Sequence, residues 1–411
     1  MNSAHLTTTL LRDARIVLPA QIAEHASLLT SKDRIGGLFL SPTHHSPSAD
    51  KVIDLRGLTL FPGFIDLHIH GAVGVDTMEA NASDLDRVSQ FLATRGVTGW
   101  LPTLVPGPDA DYARSINAIE DAMTARAGAQ DPDGGARILG VHYEGPFVNS
   151  SQCGALRAQF FRTFSGPRDL DSLPRIRHMD QQVVKHMTTM APEIDGGVDL
   201  VRELSNRGWI VSIGHTRAEF DLLEQAFDAG ARHMTHFMNA MAPLHHRSPG
   251  PVAWGLARDE VTCDVIADGI HLDRRILQLL FKLKGAAGLT LISDAVAAAG
   301  LGDGDYQIWG ETINVKEGRT RNAAGSIAGS VITMLDAVLT MKSLGGSEVE
   351  LARMASTNPA QLLGIDRDCG SIEEGKRADL VALNEQGQVV FTMIGGVVVF
   401  DARTPVLTSN E

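Results

Sequence analysis

Cysteine is scarce in this chain: Cys153, Cys263 and Cys369 are the only three in 411 residues, and no two form a CxxC pair. An odd, scattered set argues against a disulfide framework and makes a reduced, cytoplasmic setting the default expectation. Long apolar runs are missing too. No window of about 18 apolar residues offers a transmembrane helix. The stretch Met1 to Arg15 lacks the basic segment and following apolar run of a secretory signal. Positive charge is in deficit, with 36 Lys and Arg against 49 Asp and Glu and a net charge of −13. A field of that sign repels nucleic acid and anionic membrane, so neither is an expected partner. A small anion held in a local cationic pocket stays open. What is present is apolar bulk, 44% of residues, in a chain long enough for one large domain plus a small one.

The two ends are alike in kind. Residues 1–60 carry short β-type runs, Arg15–Leu18 and Gly37–Leu40, between Pro-, Ser- and His-rich turns. Residues 370–411 carry Asp379–Leu383, Val389–Ile394 and Gly396–Phe400. Neither end could bury a core alone, and together they are expected to form one small β-sandwich domain. Residues 61–369 alternate short apolar runs with helical patterns, the signature of a parallel sheet. Eight strands are expected: Gly63–His70, Thr98–Leu104, Arg137–Glu144, Val183–Met190, Trp209–His215, His233–Met238, Val261–Ala267 and Leu289–Asp294. Helical patterns follow most of them, at Ala80–Arg95, Asp111–Ala127, Asp195–Arg207, Ala218–Ala229 and Arg274–Lys284, with Ser330–Ser343 and Val349–Leu363 packed outside. Eight such units make an α/β fold, a (β/α)₈ TIM barrel, the natural reading.

Chemistry in this fold sits at the C-terminal strand ends. Six of the eight expected strands run into His, Asp or Glu: His68-Ile69-His70, His142-Tyr143-Glu144, Gly214-His215, Thr235-His236, Asp268-Gly269-Ile270-His271 and Ser293-Asp294. His68 and His70, two apart on a strand, share one face, and two converging imidazoles suit a divalent transition metal. Read blandly, they are two satisfied core histidines. Glu144 closes an apolar strand, where a carboxylate is costly unless paired or metal-bound; an exposed loop acid is the plainer alternative. His215 follows a glycine that permits close approach, or else it caps a helix. His236 leads into the apolar turn Phe237-Met238-Asn239-Ala240-Met241, more a pocket lip than a solvated loop. One carboxylate and two imidazoles with an open position form a catalytic rather than a structural zinc pattern. Asp294 is either a helix cap or a base for an activated water. Cys263 reads as a small core residue rather than a ligand.

The ordered set of motifs resembles the amidohydrolase superfamily. Pro62-Gly63-Phe64-Ile65-Asp66-Leu67-His68-Ile69-His70 resembles its first strand, and Gly370 to Leu380 its return into the small domain. Tyr143-Glu144-Gly145-Pro146-Phe147, Gly214-His215-Thr216, Thr235 to Met241, Ala267 to His271 and Ser293-Asp294-Ala295 are similar to the N-acetylglucosamine-6-phosphate deacetylase family within it. The resemblance implies a primary metal on Glu144, His215 and His236 and a second on His68 and His70, hence one or two divalent ions, zinc first and iron or another ion next. It implies Asp294 as acid/base. Asn239, Ala240 and His271 would face a phosphorylated N-acetyl amino sugar, Ile327, Ala328 and Gly329 would line its pocket, and Arg247 would reach into the neighbouring subunit of a homodimer. An arginine fork suits a phosphate, although His245-His246-Arg247 also reads as a solvated basic loop. The implied reaction converts N-acetylglucosamine 6-phosphate to glucosamine 6-phosphate and acetate. One departure stands out. Leu156 occupies a position where many family members place a His or Gln against the acetyl group, and leucine donates no hydrogen bond. The metal alone, Arg157, or a different sugar such as N-acetylgalactosamine 6-phosphate would account for it. Lys185 begins rather than ends strand four, so no carbamylated lysine is expected. A deaminase or cyclic-amide hydrolase of the superfamily, or a catalytically silent binding barrel, are the rival readings.

Overall fold

The computed structural model describes residues 7–40, 47–126, 134–177 and 184–403. Val183 and Ala127, expected to open strand four and close the second helix, lie outside these residues. The eight barrel strands are Phe64–Ile69, Val97–Leu104, Gly140–Glu144 with Arg137–Ile138 leading into it, Lys185–Met190, Ile210–Ile213, His233–Met234, Thr262–Ile266 and Leu289–Ile292. Each pairs in parallel with the next. Between the last and the first, the Asp294 amide donates to the His68 carbonyl at 2.9 Å and Ile69 bridges Ala295. These contacts close the barrel. Its strands read as continuous apolar runs because they are covered on both faces, and Val97–Leu104 is buried at every position.

Local chemistry sets the helices. Asn81 accepts from the Asp84 amide while the Asp84 side chain bonds back to the Asn81 amide, starting helix Ala82–Ala93. Leu85, Val88 and Leu92 then fall on its buried face. The expected helix over 349–363 is instead Glu348–Ala352 and Asn358–Leu362, joined by a wide turn at Arg353–Thr357. Pro359 contributes to this break, because it offers no amide to the preceding turn.

Strands from both termini form the small β-domain. Its hydrogen-bonded order is Val397–Asp401, Val389–Ile394, Leu380–Leu383, Thr59–Pro62, Thr8–Val17, Ile22–Ser31 and Arg34–Phe39, with Lys51–Asp54 on Thr8–Val17. Leu11, Ile16, Leu28, Leu60, Leu380, Phe391 and Met393 make its separate core. The N-terminal strands are longer than the short runs expected, since Thr8–Val17 and Ile22–Ser31 tolerate polar residues on their outer face.

The elements outside the expected set include helix Gly250–Ala257 and a three-stranded antiparallel flap at Gly304–Ile308, Glu311–Lys316 and Arg319–Arg321. The flap interrupts the β/α alternation after Asp294. Ile308, Ile313 and Val315 pack beneath it with Val296, Ala297 and Ala328.

Candidate metal centre

The barrel brings six of the singled-out side chains to one rim. Glu144, His215 and His236 form one triple, and His68, His70 and Asp294 the other, with the ligand-type atoms in each triple within 4.8 Å of one another. Glu144 joins them. Its Oε1 lies 2.8 Å from His215 Nε2 and 3.0 Å from His236 Nε2. Its Oε2 lies 3.3 Å from His70 Nε2 and 3.7 Å from His68 Nε2. Asp294 Oδ1 closes the second triple at 3.2 Å from His70 and 3.4 Å from His68. All six are buried. His215, His236 and Asp294 have positive φ, 48°, 32° and 50°. Non-glycine residues rarely adopt this region, and such strain gathers at functional sites.

The electrostatics follow from the crowding. Burial alone would raise the Glu144 carboxyl, but His68 and the hydrogen bonds from His215 and His236 hold it well below the usual range. Burial likewise opposes ionisation of Asp294, yet His70 and His68 keep it below its ordinary value. Burial disfavours charged imidazoles, but Asp294 and Glu144 bring His70 up to about 10, and Glu144 brings His236 up to about 9. Four imidazole Nε2 atoms facing two ionised carboxylates make a nitrogen-and-oxygen donor set that fits a divalent metal. His215 Nδ1 lies 2.7 Å from the Gln152 carbonyl. That oxygen can only accept, so Nδ1 carries a hydrogen, and Nε2 is the nitrogen that would turn a lone pair to a bound metal.

Residues that the sequence reading passed over hold this arrangement. Asp264, fully buried on strand seven, accepts the His236 amide with one oxygen and lies 3.1 Å from His233 Nε2 with the other. Asp66 accepts from the Ser293 hydroxyl at 2.6 Å and from the Ser293 amide, tying strand one to the residue before Asp294. His142 donates through Nδ1 to the Leu67 carbonyl at 2.9 Å. Its Nε2 therefore accepts from Thr189, the first link of a buried chain through Thr235 to Ser212. Burial, with His68 nearby, holds His142 well below the ordinary imidazole range, so it is neutral. Asp66, His142, Thr235 and Ser293 stand inside the motifs quoted above without a role of their own, and for Asp264, His233, Thr189 and Ser212 the only sequence signal is a polar type inside an apolar run.

The sugar-facing expectations fare unevenly in contact. Asn239 donates to the His236 carbonyl at 3.1 Å, and the Ala240 carbonyl accepts from Thr216, within a turn where Met238 and Ala240 also have positive φ. His271 Nδ1 is bound to Asp268 at 2.7 Å, which leaves Nε2 for a ligand. Gly329 lies so close to Asp294 that a Cβ there would sit 2.8 Å from its carbonyl oxygen. Ala328 is buried beside it, whereas Ile327 is exposed. Leu156 is buried in the main core and offers no donor. Arg157 is engaged by the Pro106 carbonyl at 3.1 Å and stacks over Phe160. Arg247 is exposed, and its hydrogen bonds among the described residues are to His245 and His246 of its own loop. Lys185 sits at the N-terminal end of its strand, and Cys263 is a buried core residue whose thiol burial pushes up to about 12.

The Amidohydrolase family model matches residues 59–399. An N-acetylglucosamine-6-phosphate deacetylase of Bacillus subtilis is 37% identical over 345 residues, covering 84% of this chain and 85% of that protein. An N-acetylgalactosamine-6-phosphate deacetylase of Escherichia coli O157:H7 is 36% identical over 326 residues, covering 79% and 83%. Among solved structures, a mutant N-acetyl-D-glucosamine-6-phosphate deacetylase of Mycobacterium smegmatis, in complex with N-acetyl-D-glucosamine-6-phosphate, superposes with a TM-score of 0.83 at 30% identity, over 96% of this chain and all of that one.

Proposed function

This chain belongs to the amidohydrolase family, and from that premise we propose that it hydrolyses the N-acetyl amide of N-acetylglucosamine 6-phosphate, giving glucosamine 6-phosphate and acetate. The observation that carries the reading is the meeting of two His/carboxylate triples on the single carboxylate of Glu144. Catalysis is assigned to a barrel domain, 61–369, with 1–60 and 370–411 as the small domain. The cytoplasm is the proposed compartment.

Glu144, His215 and His236 would hold the primary divalent ion, zinc in this reading, and His68 and His70, beside Asp294, would hold a second. When bound, the metal supplies Lewis acidity toward the acetyl carbonyl and lowers the pKa of water toward about 7. Asp294 takes the proton from the attacking water, a role suited to a carboxylate kept ionised beside His70. As the C–N bond breaks, Asp294 returns that proton to the sugar nitrogen, so acetate and a free amine leave. Asn239 and the Ala240 backbone position the sugar. His271 Nε2 and Arg247 of a neighbouring copy, in a homodimer, bind the phosphate. Ile327, Ala328 and Gly329 line the wall opposite, and Leu156 contacts the acetyl methyl.

Acetate release from N-acetylglucosamine 6-phosphate, with the unphosphorylated sugar as control, tests the reading. Equal turnover of both sugars, or none of the phosphorylated one, would reject it in favour of another amide or ring substrate. The N-acetylgalactosamine isomer is the second reading, favoured by the Escherichia coli relative. Competition between the two isomers decides between them.

A further inference from the structure

The flap begins and ends at Asp294. Its outgoing residue Ala295 accepts the amides of His70, at 2.8 Å, and Gly71, and its returning residue Ser330 donates to the Asp294 carbonyl at 2.7 Å. At its tip, Gly304–Ile308 and Glu311–Lys316 are joined by only two residues, Trp309 and Gly310, with φ of 55° and 77°. A two-residue hairpin with both φ positive is the type I′ turn, which favours Asn-Gly and disfavours a bulky first residue. Turn chemistry therefore does not explain a tryptophan here. Its ring meets the His70 ring edge-on, with centroids 5.1 Å apart at 84°. The indole packs on both the barrel core and the flap core. Its Nε1 is buried with no hydrogen-bond partner among the described residues, and neither has His70 Nδ1. Ring packing is thus a side-chain contact that orients His70 from outside the cluster.

Building on the two-ion reading above, we propose that Trp309 is a positioning residue that holds the His70 imidazole for the second metal ion. The flap trades a favourable turn residue for an aromatic wall on that half of the centre. Loss of the ring leaves His70 free to rotate about χ1 and χ2. The second ion then loosens, while the Glu144/His215/His236 ion keeps its ligands and their supports.

The test measures zinc retained by the purified full chain after equilibration against graded concentrations of a chelator, with the thermal midpoint recorded for each variant. Trp309→Asn suits the type I′ turn and removes the ring, and Trp309→Phe keeps an aromatic edge. The expected result is two zinc ions in the wild type and in Trp309→Phe. Trp309→Asn should lose the second ion at about 10- to 100-fold weaker affinity, the range for an outer partner of a ligand, with the first ion unchanged. Two ions held with wild-type affinity in Trp309→Asn would overturn the inference. So would equal loosening of both ions together with a lower midpoint, which marks a role in folding. A wild type that holds one ion would remove the two-ion reading and this inference with it, a result distinguishable from both others.

Discussion

The two halves of the centre use the same residue types but differ in how far hydrogen bonds brace their imidazoles. In the Glu144/His215/His236 half, the Gln152 carbonyl fixes the His215 tautomer and Asp264 holds the His236 backbone, while His236 Nδ1 has no hydrogen-bond partner among the described residues. In the His68/His70/Asp294 half, both Nδ1 atoms are without a hydrogen-bond partner among the described residues. There the rings are braced by aromatic edges, His142 at 4.7 Å from His68 and Trp309 at 5.1 Å from His70. A hydrogen bond sets both orientation and protonation state, whereas packing sets orientation alone. His215 is therefore prepared for its ion, and the second half, with no such hydrogen bond, depends on what closes over it. Strand position explains the contrast. The first half stands on strands three, five and six within the continuous ladder. The second straddles the seam where strand eight meets strand one.

The most drastic way to separate the halves is Asp294→Asn. Turnover should fall about 10²- to 10⁴-fold, the weight of a general acid/base, while zinc bound to the first half persists. Near-normal turnover in that variant would remove Asp294 from the proton path. Asp264→Leu attacks the first half from beneath. It should weaken the first ion about 10- to 100-fold and leave the second nearly unchanged, as read by zinc retention against a chelator. A uniform loss at both would show the two halves to be one mechanical unit.

Acid acts on both halves alike. Metal ligation needs neutral imidazoles, and without metal His236 and His70 carry protons up to about pH 9 and 10. Zinc affinity should therefore fall as pH drops below 9, with proton release visible in calorimetry across buffers of different ionisation enthalpy. The metal-free protein shows the opposite sign. Its raised histidine pKa values stabilise the fold fully below about 6.5, the unfolded value, and that stability is lost as pH rises through 9 to 10. A metal-free thermal midpoint that climbs over that window would contradict the pairing. The smallest effect is expected from Gly329→Ala, at φ 59° and with its Cβ 2.8 Å from the Asp294 carbonyl oxygen. It should cost roughly 1–3 kcal/mol of stability, seen in denaturant unfolding, and slow turnover through displacement of Asp294.

Much of the centre was legible in the sequence because each ligand closes a strand whose apolar run announces it. Leu289 to Ile292 before Ser293-Asp294, and Val141 with Tyr143 before Glu144, both follow this pattern. The barrel followed from the alternation of such runs with helical periodicity. The flap was not read, although Tyr306/Ile308 and Ile313/Val315 alternate and Trp309-Gly310 and Glu317-Gly318 mark its turns. Its strands are short and its turn residues atypical, so the pattern competes poorly with loop. Asp264 and His233 escaped because one polar residue inside a strand carries no sign of its partner, 31 residues away.

The sequence by itself determined which residues can ligate and that they lie at strand ends, since side-chain chemistry and hydrophobic period are properties of local stretches. Only the tertiary structure decided that Glu144 stands between two triples, that Asp264 grips His236, and that Trp309 rests on His70. These depend on the closure of the barrel between its first and last strands, a contact of long sequence separation whose geometry no local pattern encodes.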